Sequence, residues 1–261
     1  MLTQGNAAQR DPLLEARDVS MRYGDFIALR NVSLSVGKGE IVSIVGPNGA
    51  GKTTLVNTLT GLFPPTTGEV FFLGNKLADN DIVKLSTQGL ARAFQLVNIF
   101  PDLTVRETLA VAASSYGGLR WRMMQNFRRN DTIGKIVEDT ARAFGLHTSL
   151  DVLSSALPHG KRKLLDVASA LALHPKVLLL DEPTAGVSTA DKYGIMETLL
   201  AAAERMNVGA IMLVEHDMDL VSRYSTRIIA MQDGAKIADS PAEDFFKNEE
   251  VLSIVVGKGN H

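Results

Sequence analysis

Residues 42–55 read VSIVGPNGAGKTTL, and no other stretch restricts the fold of this chain as strongly. Val42 to Val45, apolar but for Ser43, make a short run suited to a buried strand. Gly46 follows at once, and Gly46, Gly51, Lys52 and Thr53 stand in GxxxxGK(S/T) spacing. That spacing requires a strand, a tight loop and a helix in succession. Glycines let consecutive backbone N–H groups turn inward around a phosphate chain, an approach that a Cβ would obstruct. Lys52 is placed to reach the β- and γ-phosphates and the Thr53 hydroxyl to hold Mg²⁺. A helix starting at Lys52 directs the positive end of its dipole at the same anion. Leu55, Val56, Leu59 and Leu62 share one face of that expected helix, which Pro64-Pro65 would end.

Elsewhere the chain supplies the rest of an α/β architecture. LLEARDVSMRY and FIALRNVSLSV alternate roughly with period two on either side of a turn at Gly24-Asp25. GEVFFLGNKL reads as a short strand pair turning at Gly74-Asn75. These segments predict a small antiparallel sheet beside the nucleotide strand. Thr104 followed by Glu107 marks a capping-box start to a helix over 104–115, and 132–146 and 158–173 also carry helical patterns. Strands return with KVLLLDE, GAIMLVEH and a hairpin, RIIAMQDGAKIADS, turning at Asp233-Gly234. Strands alternating with helices imply a mostly parallel sheet covered on both faces. The expected organisation is one domain with lobes over 12–241, a helical subdomain inserted at about 97–172, and a tail over 242–261.

Composition narrows the function classes. A net charge of −2 and a hydrophobic fraction of 45% describe an ordinary globular chain, with no basic excess to attract nucleic acid. The chain has no cysteine, which removes disulfides and thiolate metal sites. No apolar run suits a signal peptide or approaches the roughly 20 residues of a membrane span. The expectation is a cytoplasmic protein that reaches a membrane only through partners.

Five further residues, in four stretches, suit the same nucleotide. VLLLDE brings Asp181 and Glu182 to the carboxyl end of a buried strand, where ligands bind in open α/β sheets. Asp181 suits Mg²⁺, through a water. Glu182, one residue on, suits a carboxylate that polarises a water attacking the γ-phosphate. His216 in LVEHD follows a second apolar strand and can donate to the γ-phosphate while holding that water in line. Gln95 in RAFQL is either a neutral amide ligand for Mg²⁺ or a surface glutamine. Tyr23 before Gly24 is either a platform for adenine or an aromatic packed on the sheet.

In this order the pieces resemble the ATP-binding subunit of an ATP-binding-cassette (ABC) transporter, over about Leu13 to Ser240. GPNGAGKTT matches the Walker A loop, Gln95 the hinge glutamine, VLLLDEPTAG the Walker B strand with its catalytic glutamate, and His216 the switch histidine. The resemblance implies a P-loop NTPase, RecA-like core. It implies ATP held by Tyr23, Gly46, Asn48, Gly49, Ala50, Gly51, Lys52, Thr53, Thr54, Gln95 and, from a second subunit, Gly160. Mg²⁺ would be held by Thr53, Gln95 and Asp181, and Lys52, Glu182 and His216 would carry the chemistry. It also implies a homodimer or heterodimer of ATP-binding subunits on two integral-membrane permeases, peripheral on the cytoplasmic face of the inner membrane.

Two departures stand out. Where the family signature usually reads LSGGQ, this chain has Leu157-Pro158-His159-Gly160-Lys161, so the serine hydroxyl is missing. Lys161, Arg162 and Lys163 then crowd the start of a helix, either as cations, Lys161 and Lys163 among them, that replace part of the lost contact to ATP or as a solvated basic patch. Ser188 stands where an aspartate is common. FQLVNIFPDLTVRETLAVA, LVEHDMDLV and the closing SPAEDFFKNEEVLSIVVG look most like importers of branched-chain and other hydrophobic amino acids. Urea and short-amide importers and a lipopolysaccharide-export cassette share much of that pattern, and a soluble cassette ATPase is a further alternative. GGLRWRMMQNFRRN (117–130), with Arg120, Arg122, Arg128 and Arg129 around Trp121 and Phe127, is either a permease or lipid contact or an exposed basic helix.

Overall fold

The computed structural model describes residues 11–77, 82–93, 100–115 and 131–256. Two sheets organise them. Strands β1 (Leu14–Tyr23), β2 (Phe26–Val36), β4 (Thr67–Phe72) and β5 (Asn75–Lys76) form an antiparallel sheet in the order β2-β1-β4-β5. The second sheet runs β10-β9-β3-β8-β7-β6, built from β3 (Ile41–Val45), β6 (Leu90–Ala93), β7 (Val177–Asp181), β8 (Ala210–Val214), β9 (Arg227–Gln232) and β10 (Ala235–Pro241). All its pairings are parallel except the β9–β10 hairpin. Asp233 (φ 49°) and Gly234 (φ 78°) form that hairpin's turn, both left-handed as a two-residue turn between twisted strands requires.

The parallel strands are apolar on both sides because both sides are covered. Val177 and Leu179 of β7 pack with β1, β2 and helix α1 (Lys52–Leu59), while Leu178 and Leu180 pack among helices. Those helices are α3 (Val105–Ser115), α4 (Asp131–Ala143), α5 (His159–Leu171) and α6 (Thr189–Arg205). Thr104 and Glu107 make the reciprocal capping box: the Thr104 N–H donates to Glu107 Oε2 at 3.0 Å, and the Glu107 N–H to Thr104 Oγ1 at 3.2 Å.

Helix α1 is shorter than its apolar pattern predicts. It ends at Leu59, so Leu62 lies beyond it, and the terminator is Gly61 (φ 70°) rather than Pro64-Pro65. The N–H of Leu62 donates to the Asn57 carbonyl and that of Gly61 to the Thr58 carbonyl, a Schellman motif that satisfies the last carbonyls. Strand β6 and the short helix α2 (Ile82–Gln88) before it are elements the period analysis did not separate.

Candidate nucleotide site

Register alone gathers the site. Ile44 of β3 pairs with Val214 of β8, and Val214 pairs with Asp181 of β7, so three parallel strands reach one row together. The residues that follow (Gly46, His216 and Glu182) leave the sheet along its carboxyl edge, where open α/β sheets place their ligands.

The first loop is shaped by its glycines. Gly46, Gly49 and Gly51 all have positive φ, and a Cβ on Gly51 would stand 2.7 Å from the Ala28 carbonyl oxygen. A Cβ on Gly46 would run into the Met231 carbonyl. Gly51 caps α1 without a side chain, so the helix offers its first N–H groups to an anion, with no acidic residue in the first turn to compete. Lys52 arches over the loop, its Nζ donating to the carbonyls of Gly46 at 2.7 Å and Pro47 at 3.0 Å. Burial lowers the Lys52 pKa, while the charges of Glu182 and Asp181 act in the opposite direction, which places both carboxylates in electrostatic reach of the ammonium.

The acidic end is tightly organised. Glu182 is held at φ 48°, a left-handed conformation that costs a non-glycine residue about 1–2 kcal/mol. Its N–H is tied to the Val214 carbonyl, and Oε1 lies 3.7 Å from His216 Nδ1. His216 is 67% exposed at its side chain, so the ring faces outward from the edge. Glu215, next to it, is buried and accepts from Thr184 Oγ1 at 3.0 Å; burial pushes its carboxyl above the usual range, and the Thr184 hydroxyl and His216 offset this only in part. Asp181 accepts from Arg92 Nη2 at 2.8 Å, and Arg92 Nη1 donates to Asn57 Oδ1 at 2.6 Å.

Arg92, Asn57, Thr184 and Glu215, polar residues packed around these side chains, are ones that sequence reasoning missed. Arg92 carried a signal, a charge inside the apolar run LARAFQL. Nothing in the sequence pointed to Asn57.

Tyr23 is 46% exposed and meets the edge of Phe63, with ring centroids 6.4 Å apart. Gln95 and the basic stretch 117–130 lie outside the described residues. Gly160 sits in the first turn of α5, on an open groove of about 620 Å³ that Lys161, Gly186 and Ser188 also line. The pairing of Lys161 with Lys163 needs correction. Lys163 is 4% exposed and turned inward; burial lowers its pKa against the pull of Asp166, Glu182, Glu215 and Asp181. Lys163 therefore does not point out from the helix start, whereas Lys161 lines the groove. Ser188 caps α6, accepting from the Asp191 N–H and donating to Asp191 Oδ2.

Among the described residues, no cluster of three or more His, Cys, Asp or Glu side chains could hold a metal alone. Asp181 and the Thr53 hydroxyl fit instead a cation that takes one or two protein oxygens and completes its shell with water and phosphate, as Mg²⁺ does.

A family model described as ABC transporter matches residues 29–185, which span the first loop and both carboxylates. The chain belongs to the ABC transporter family. It is one of the family's ATPase subunits. It is 34% identical over 253 residues to the high-affinity branched-chain amino acid transport ATP-binding protein LivG of Salmonella typhimurium, covering 95% of this chain and 98% of that one. Among solved structures it is similar to cbiO1 of Clostridium perfringens, part of the ABC transporter complex cbiONQ, at 27% identity and TM-score 0.81, over 93% and 94% of the two chains. A dimeric post-hydrolysis cassette bound to ADP and Pi matches with TM-score 0.74 and 26% identity, over 88% of this ABC subunit and 98% of that chain.

Proposed function

We propose that this ATPase subunit energises the import of branched-chain or other hydrophobic amino acids. In this reading two such subunits, identical or not, sit on two membrane permeases at the cytoplasmic face. The observation that carries the catalytic part is the shared row of Ile44, Val214 and Asp181, which sets the phosphate loop, His216 and the two carboxylates along one sheet edge. The likeness to LivG over nearly the whole of both chains supports the cargo class, and the dimeric cassette and the cbiONQ subunit support the assembly. No described helix is long and apolar enough to cross a membrane, so in this assembly the spanning segments come from the permeases. The domain reading is a cassette over 12–241 with its helical subdomain at about 97–172 and a tail over 242–261.

ATP is the substrate. Its phosphates lie along Gly46, Asn48, Gly49, Ala50, Gly51, Lys52, Thr53 and Thr54, and its adenine against Tyr23. Lys52 exchanges its two carbonyl partners for phosphate oxygens. Thr53 and Gln95 would hold Mg²⁺ directly and Asp181 would hold it through a water, and the ion would supply charge neutralisation when bound with ATP. The Glu182 carboxylate takes the proton of the attacking water, and its left-handed backbone fixes the side chain's direction before substrate arrives. His216, beside Glu182, orients the water and donates to the γ-phosphate. Gly160 offers its N–H to the ATP of the second subunit.

The decisive experiment is twofold. Lys52→Ala should weaken ATP binding by tenfold or more in the purified chain, and wild-type affinity would remove the phosphate assignment. Vesicles carrying the complete transporter should then accumulate leucine, isoleucine, valine or another hydrophobic amino acid such as phenylalanine or methionine only with ATP on the side of this subunit. ATP turnover without uptake of any of them would refute the cargo class.

A further inference from the structure

The buried ion pair between Arg92 and Asp181 is not needed by any step above, and its construction is unusual. Arg92 lies on β6, the edge strand, diagonally across from Asp181 on β7. Its side chain and that of Asp181 are each 8% exposed. Nη2 holds Asp181 Oδ2, while Nη1 holds Asn57 Oδ1 on α1. Asn57 stands four residues after Thr53, on the same face of the helix. One planar guanidinium therefore joins the two elements that carry the proposed Mg²⁺ oxygens.

Burying two charges costs several kcal/mol per ion, so such a pair contributes little net stability compared with apolar side chains of the same size. Its value lies in geometry. A guanidinium presents rigidly spaced donors in a plane, and fixes two acceptors relative to each other as an ammonium cannot. It engages Oδ2 of Asp181, and a carboxylate has a second oxygen to turn toward a metal-bound water. Cations as small as Mg²⁺ demand near-ideal octahedral geometry at about 2.0–2.1 Å, so small changes in the separation between β7 and α1 are felt in affinity.

We propose that Arg92 is a positioning residue for the cation edge of the site, setting Asp181 and the first turns of α1 at the separation that Mg²⁺ between Asp181 and Thr53 requires. This rests on the reading of Asp181 and Thr53 as the metal side of the nucleotide site. In this role Arg92 acts through the two side chains it holds, Asp181 and Asn57.

The test measures ADP affinity of the full chain by calorimetry, with Mg²⁺ and with EDTA. The quantity read is the ratio of the two dissociation constants. Arg92→Gln should leave the EDTA value within threefold of wild type and shrink the Mg²⁺ enhancement at least tenfold. Arg92→Lys, which can reach one acceptor but not both, should recover part of it. Asn57→Ala should shrink the enhancement three- to tenfold with the ion pair intact. An unchanged ratio in Arg92→Gln, or an equal loss with and without Mg²⁺, would overturn the proposal and leave a merely structural ion pair. Should Arg92→Gln fail to fold, Asn57→Ala decides: a shrunken ratio supports the positioning role and a wild-type ratio overturns it. Asp181→Asn separates the two levels. A wild-type ratio there removes the metal assignment itself, whereas loss in Asp181→Asn beside a normal ratio in Arg92→Gln removes only the role of Arg92.

Discussion

Gly49 and Gly51 differ in one respect that can be isolated by experiment. Their φ angles are close, 83° and 94°, so an alanine at either position meets a similar left-handed penalty of about 1–2 kcal/mol. Their surroundings are unlike. A Cβ on Gly49 would have nothing within 4 Å, whereas one on Gly51 would stand 2.7 Å from the Ala28 carbonyl oxygen, 3.1 Å from Leu29 Cδ2 and 3.3 Å from Gly234 Cα. Two of those three atoms are backbone, in β2 and in the β9–β10 turn, and neither can rotate away. Overpacking of this kind adds about 1–3 kcal/mol. Gly51→Ala should therefore lose about 2 kcal/mol more than Gly49→Ala, which for a chain of this size is roughly 4–8 °C in Tm. Thermal unfolding of both variants without nucleotide reads the difference directly. Equal shifts would show that the loop yields where it is packed against β2, and the argument that this contact shapes the phosphate cradle would fail.

Glu182→Gln should keep ATP affinity within a few-fold while hydrolysis falls by about 10²–10⁴, the usual contribution of a positioned base; normal turnover would disqualify the residue. Asp239 is pushed up by burial, but the hydrogen bonds it accepts from Arg227 and Lys236 outweigh this and hold its carboxyl below the ordinary 3.8. Its folded pKa is thus depressed, so its contribution is complete above the unfolded value and is lost as pH falls through the folded one. Asp239→Asn should cost about 1–3 kcal/mol at pH 7, and urea midpoints of variant and wild type should converge below the folded pKa; a gap that persists in acid would refute the ion-pair origin. Thr104→Ala should cost about 1 kcal/mol by denaturant unfolding, the worth of one helix cap, and a loss under a few tenths would show that the reciprocal bonds to Glu107 are idle.

Local chemistry was legible in the chain and long-range chemistry was not. The loop from Gly46 to Thr54, the capping box at Thr104 and the turn at Asp233-Gly234 each depend on residues within a few positions of one another, so spacing is sufficient evidence for them. The ends of β7 and β8 were readable for the same reason, since an apolar run followed by a polar residue marks where a buried strand surfaces. The end of α1 was misjudged because an apolar face continued past Gly61, and the prolines were the louder signal. Lys163 was misjudged differently. A run of three cations at a helix start says nothing about which of them the packing turns inward: Asp166 lies one turn along the same helix, but the other carboxylates around Lys163 (Asp181, Glu182 and Glu215) come from the ends of two strands later in the chain.

By itself, then, the order of residues determined that a strand, a glycine-shaped loop and a helix would follow one another at 42–59 and that Asp181 and Glu182 would end a buried strand. The tertiary structure decided which charges would meet: that Asp181 would share Arg92 with Asn57, that Glu215 would be buried beside His216, and that Lys161 rather than Lys163 would reach the groove at α5. The physical reason is that a backbone motif is specified by neighbours along the chain, whereas a buried charge is specified by whatever partner the sheet order brings to it. The parallel pairing of β3 with β8 joins positions more than a hundred residues apart, and no pattern in the sequence reports that distance.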